Sequence, residues 1–186
     1  MSDQQIREYA TNKGFHPQTL ERWLNWHPSD KEALLGLTLA LRIGENHLRD
    51  LMDWLEDIAL LAQAKIHDIL LSDSVKEIES DPRLGRADKL KRIKEQIRRL
   101  RFPRLSRIED VIQMRIRELK LYPQVKLSVP PGLEGGHLRV EFNASSHDEL
   151  RSSIARLAEA AEKESVSEIF RLLRGEVNES GNQAAR

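Results

Sequence analysis

The strongest chemical signal in the chain is a run of basic residues. Residues 81–107 carry 11 Lys+Arg against 3 Asp+Glu, a local net of +8. Ammonium and guanidinium groups set along a helix stand over phosphates, and each contact releases condensed counterions, so such a run is suited to a polyanion. Lys91, Arg92, Lys94, Arg98, Arg99, Arg101 and Arg104 are the candidate phosphate contacts. Leu90, Ile93, Ile97 and Leu100 recur by three and four and would hold the same helix to the body. Phe102 alone interrupts the run with an aromatic ring, so stacking on single-stranded bases is not indicated. The apolar side of the helix is narrow and lacks Trp, which argues against a membrane surface.

Catalytic and metal chemistry find no such support. The histidines at 16, 27, 47, 67, 137 and 147 show no H-x₃₋₅-H pairing suited to zinc. Asp53, Glu56 and Asp57 cluster on one helix beside Arg49 and read as a solvated face. Gly132–Gly136 lacks the strand–glycines–helix order of a phosphate loop. Ser145 and Ser146 are accounted for as helix caps rather than nucleophiles. No catalytic residue, metal or cofactor is expected.

The net charge of zero hides its distribution. Residues 1–80 carry 8 bases against 14 acids, and residues 108–186 carry 11 against 13, so the basic run lies between two acidic stretches. There is no cysteine, hence no disulfide or thiolate metal site. The start is polar and acidic, unlike a signal peptide. Ala33 to Leu41, the most apolar stretch, is too short to cross a bilayer. The expected location is the cytoplasm.

Periodicity places these residues on elements. Two short helices flank a turn at Lys13-Gly14-Phe15, the first with Ile6, Tyr9 and Ala10 inward, the second with Leu20, Trp23 and Leu24. Ser29 or Asp30 is the expected cap of a third helix over Lys31–Arg42, terminated by Gly44. A longer helix from Asn46 repeats Leu48, Leu51, Leu55, Ile58 and Ala62, then meets Lys65 before Ile69. That seam suits either packing within the chain or a dimer contact. Ser72 to Gly85 reads as a boundary, and Asp88–Arg101 as the basic helix. Ser106 with Glu109 and Ser146 with Glu149 read as capping boxes. The first opens a helix to Lys120 and the second a helix to Lys163 with Leu150, Ile154 and Leu157 inward. Between them the period shifts to two over Val125–Val129 and Leu138–Phe142, a hairpin. A last helix covers Val166–Leu173.

The fold class expected is mainly α with a small α+β C-terminal unit: an N-terminal helical bundle, the basic helix, then α-β-β-α-α. The division is residues 1–71 as a helical domain, 72–107 as linker and basic helix, 108–174 as an α+β unit and 175–186 as a disordered tail.

Ala10, Gly14, Leu20 and Trp23 resemble in spacing a repressor-type DNA-binding helix-turn-helix, with a small residue four before the turn glycine and apolar residues six and nine after it. The resemblance implies that His16, Gln18, Glu21, Arg22 and Asn25 face outward, with Gln18, Arg22 and Asn25 as candidate base contacts. Lys13 departs from the pattern, which usually has an apolar residue there. Val125-Lys-Leu-Ser-Val, Gly135-Gly136, Leu138-Arg-Val-Glu-Phe142 and Ser146-His-Asp-Glu-Leu150 resemble the dimerisation domain of ParB-type partition proteins. That resemblance covers about a quarter of the chain and implies a homodimer. The nucleotide motifs of that family, including its paired-arginine box, are absent, so CTP hydrolysis and partition activity do not carry over.

These observations lead to a DNA-binding regulatory or partition-related homodimer that is not an enzyme. The alternative is an adaptor or inhibitor that docks its basic helix on an acidic protein partner.

Overall fold

The computed structural model describes residues 2–176 and divides into two compact units, one ending at Pro103 and the other beginning at Arg104. The architecture is mainly helical with one two-stranded antiparallel sheet near the C-terminus. The disordered tail expected over 175–186 lies, from residue 177 onward, outside the described residues.

In the first unit α1 (Ser2–Lys13) and α2 (Pro17–Leu24) are joined by the expected turn, with Gly14 at φ +68°. The Phe15 amide donates to the Ala10 carbonyl at 2.9 Å, closing the end of α1. Ile6, Ala10 and Trp23 are fully buried. The Tyr9 hydroxyl donates to the Ile43 carbonyl at 2.9 Å and pins α1 to the chain at that point.

The third helix, α3 (Pro28–Leu41), starts earlier than expected. Pro28 takes its first position, His27 precedes it, and neither Ser29 nor Asp30 is the cap. Asp30 instead accepts from the His67 backbone amide at 2.8 Å and lies 2.9 Å from His67 Nδ1, tying α3 to α5 (Ile66–Leu70). Gly44 does not end α3 either. Arg42 closes it in the left-handed region at φ 54°, which buries Ile43 completely, and Gly44 is the extended residue before α4 (Glu45–Ala62). Helix α4 stops because Gln63 also turns left-handed at φ 50°. The apolar repeat therefore does not run on through Lys65, which precedes α5, and Ile69 is buried from that separate helix.

The stretch read as a boundary is structured. It contains α6 (Asp73–Ser80), whose Val75 is fully buried, and the Lys89 ammonium donates to the Glu79 carbonyl at its end. The basic helix α7 (Arg86–Arg101) packs on α3, α4 and α6, with Ile93 and Ile97 fully buried. They share one core with Leu48, Leu51, Leu55 and Ile58 of α4. The α4 seam is thus filled from within the chain, and the basic helix belongs to the first unit rather than to a linker. Leu100, expected inward, is exposed.

Helix α8 (Pro103–Glu118), in the second unit from Arg104 onward, begins at the proline after the α7 break, not at Ser106. Ser106 is buried inside the helix, and Glu109 accepts from the Gly132 amide at 3.2 Å instead of completing a capping box. Strands β1 (Lys126–Ser128) and β2 (Arg139–Glu141) pair with Leu127 opposite Val140, shorter than the alternation suggested. Ser146 does cap α9 (His147–Ala161), accepting from the Glu149 amide at 3.2 Å. Helix α10 (Glu164–Leu173) follows, fixed to α8 by an Arg115–Glu168 ion pair at 2.6 Å. Ile112, Leu119, Leu121, Val125, Leu127, Ala160, Ile169 and Leu173 form this unit's core. Helix α9 departs from the expectation: Ser153 and Ala160 are buried, whereas Leu150 and Ile154 are exposed. Leu157 packs on the core as expected, so the buried face is Ser153, Leu157 and Ala160, and only Leu150 and Ile154 are left outside.

Candidate nucleic-acid interface

Helix α7 forms because its residues are strong helix formers. Asp88 lies in its first turn, Arg98, Arg99 and Arg101 lie in its last, and each charge opposes the helix dipole there. Proline at 103 pushes Phe102 out of helical conformation, to φ −123° and ψ 60°. Once Ile93 and Ile97 are buried, the remaining side chains fall into two groups with different fates.

The first group faces α4. Lys94 Nζ lies 2.6 Å from Asp50 Oδ2, and Arg101 Nε donates to Asp57 Oδ2 at 2.6 Å. Both bridges span 44 residues of sequence. A constant offset means that α4 and α7 run parallel, and the two bridges lie seven residues apart on each helix, about 10 Å along it. Lys94 also sits over the Trp54 ring at 5.4 Å, and Arg101 over the Phe102 ring at 4.8 Å. Arg98 is paired with Glu95 at 2.9 Å, and Arg99 approaches the same carboxylate at 4.0 Å.

The second group faces solvent. Arg86, Lys91 and Arg92 are exposed on α7, with Asp88 and Glu95 among them. Arg92 also acts at a distance on Asp81, whose carboxyl is held down to about 2, chiefly by hydrogen bonds from Arg83. Arg104 is exposed as well but belongs to the second unit.

On α2 the expected base contacts separate. Gln18 and Asn25 are exposed, as are His16 and Glu21. Arg22 is drawn back onto α4, donating to Asp53 at 2.6 Å and to Glu56 at 3.0 and 2.7 Å. The Trp26 indole N–H donates to the same Glu56 at 2.6 Å. These bonds, led by Glu56, raise the Arg22 pKa further, so its charge is fixed. The base of α2 is also tied down. The Thr19 hydroxyl and the His16 amide donate to Glu45 at 2.7 and 2.9 Å and hold that carboxyl below its usual range.

Sequence reasoning therefore located the basic helix but not its partners. Asp53, Glu56 and Asp57, read as a solvated face, are the acceptors for Arg22 and Arg101. The available signal was the matching seven-residue interval in Asp50/Asp57 and Lys94/Arg101. Arg86 was not singled out and stands with Lys91 and Arg92.

Among the described residues no group of three or more side chains is arranged to hold a metal ion. None of their helices is long and apolar enough to cross a membrane. No family model, curated protein or solved structure matches the chain.

Proposed function

We propose that this chain is a cytoplasmic, non-enzymatic, DNA-binding regulatory or partition-related protein that acts as a homodimer. The observation that carries the reading is the exposed trio Arg86, Lys91 and Arg92 on a helix anchored by Ile93 and Ile97. Ile93 and Ile97 anchor the backbone of the helix, which carries these three exposed cations at set stations along it where phosphates can reach them. The α1–Gly14–α2 unit, with Gln18 and Asn25 exposed, supports a sequence-reading role of the helix-turn-helix kind. Internal pairing of Lys94, Arg98 and Arg101 leaves few free charges per chain, so binding depends on two copies acting together.

The second unit supplies the reason for dimerisation. Val140, Leu150 and Ile154 are exposed, and among the described residues each strand of its hairpin is paired on one side only. A second copy presents the same patch, and an isologous contact would cover both at once. Titration of the full chain with labelled duplex DNA over a salt series tests the reading. Saturable affinity that falls linearly on log–log axes is expected. No affinity at low salt would overturn it.

One observation favours an acidic protein partner instead: α7 already binds carboxylates, those of Asp50 and Asp57. Competition by generic duplex DNA separates the two readings: it saturates α7 if DNA is the ligand, and fails to displace a specific acidic partner from α7 if that partner is.

A further inference from the structure

The second unit carries a groove of about 520 Å³ where the end of α8 meets β1. Its lining is mainly apolar and includes Ile116, Leu121 and Val125. Leu121 and Val125 belong to the core of the unit, so this floor is held by the fold. Arg117, Lys120 and Lys126 line the groove as well, all three exposed, and among the described residues no carboxylate does.

The nearby acids are turned elsewhere. Glu118 pairs with Arg115 at 3.0 Å and accepts from the Ser165 hydroxyl at 3.2 Å. Glu141 lies 2.9 Å from Arg139 and 3.7 Å from Lys126, so its contact with the groove is the looser of the two. Among the described residues Arg117 and Lys120 have no ion-pair partner. Arg156 of α9 donates to the Lys120 carbonyl at 3.4 Å and brings a further cation without a carboxylate to the same place. Like charges gathered this way repel, and carboxylates bound among them relieve the repulsion.

Charge alone would suit a phosphate backbone as well as a carboxylate. The floor decides between them. A sugar phosphate presents nothing to fill an apolar trough, whereas a peptide offers a large apolar side chain with carboxylates on either side of it.

We infer that this groove docks an acidic peptide segment of a protein partner, with one large apolar side chain on Ile116, Leu121 and Val125 and flanking carboxylates on Arg117, Lys120 and Lys126. The site stands whether or not α7 binds DNA.

The test uses the full chain and a fluorescein-labelled peptide, Glu-Glu-Phe-Glu-Glu, read by anisotropy. One control peptide has Gly for Phe, and another has Gln for every Glu. The probe should bind saturably and each control several-fold more weakly. Arg117→Gln with Lys120→Gln should weaken the probe roughly tenfold. Gln113→Trp, at an exposed position in the lining, should obstruct the groove and abolish binding. Lys91→Gln with Arg92→Gln should leave binding unchanged, which keeps this site separate from α7. No saturation by roughly 1 mM probe, equal affinity for either control, or undiminished binding in the Arg117/Lys120 or Gln113 variants would each overturn the assignment. So would loss of binding in the Lys91/Arg92 variant, which would put the peptide on α7, or its displacement by generic duplex DNA, which would make the groove a phosphate site.

Discussion

The guanidinium of Arg22 meets the carboxylate of Glu56 through two bonds, Nε to Oε1 at 3.0 Å and Nη2 to Oε2 at 2.7 Å. A side chain spaced to face bases is thereby used as a strut between α2 and α4. Glu56→Ala removes the strut and also the acceptor of the Trp26 indole. Both ions are partly exposed, so the expected loss is modest, about 1–2 kcal/mol in urea unfolding. DNA affinity should hold or rise, because an acid is gone and Arg22 is released. A fall in affinity with unchanged stability would show that Arg22 acts from its present position.

The two groups of cations on α7 should separate by experiment. Lys91→Gln with Arg92→Gln should shallow the log–log salt slope by about 2, near −0.9 per phosphate contact. Arg101→Gln should leave the slope nearly as it is and lower stability by about 1 kcal/mol, since Arg101 is engaged with Asp57. Fluorescence anisotropy and chemical denaturation on the same preparations read both effects.

Glu45 makes part of the stability depend on pH. Its folded pKa is depressed by the Thr19 and His16 hydrogen bonds. The stabilisation is therefore complete above the unfolded value, about 4.3, and is lost as pH falls through the lower folded value. Glu45→Gln should melt below wild type at pH 6, and the gap should narrow below the unfolded value and close once the pH is under the lower folded one. A gap that stays constant across that range would assign the effect to packing instead.

Leu150→Glu with Ile154→Glu tests the dimer. Both side chains are exposed, so the helical signal should be unchanged. Sedimentation of wild type at tens of micromolar should give a dimer and the variant a monomer, since burying two unpaired charges is costly. A monomeric wild type would remove the dimer from the proposal.

The helices were legible where apolar residues recur with a clear period, as in Leu48–Ile58 and Ile93–Ile97. The turn at Gly14 was legible because glycine takes positive φ without cost. Helix ends were harder. Arg42 and Gln63 turn left-handed although both have a Cβ; the turns let the Ile43 amide donate back to Thr38 and the Ala64 amide to Ala59, a closure that no glycine announces in the sequence. Ser106-x-x-Glu109 has the pattern of a capping box, yet Pro103 starts the helix first. The face of α9 was misread because a leucine/isoleucine repeat outweighs serine and alanine in any hydrophobicity pattern. Close approach to neighbours, which favours Ser153 and Ala160, leaves no such mark. The partners of Lys94 and Arg101 lay 44 positions away, beyond the reach of local periodicity.

That separation has a consequence during synthesis. Leu48, Leu51 and Leu55 are finished as a helix seam long before Ile93 and Ile97 exist to cover them. At roughly 5–20 residues per second, the intervening stretch takes about 2–9 s to add. For that interval the nascent chain offers a bare stripe of leucines to the ribosome surface, to chaperones and to its neighbours on a polysome. A truncation after residue 71 would make the interval permanent, with an N-terminal fragment that sticks to itself or to holdase chaperones where the intact first unit stays clear of both.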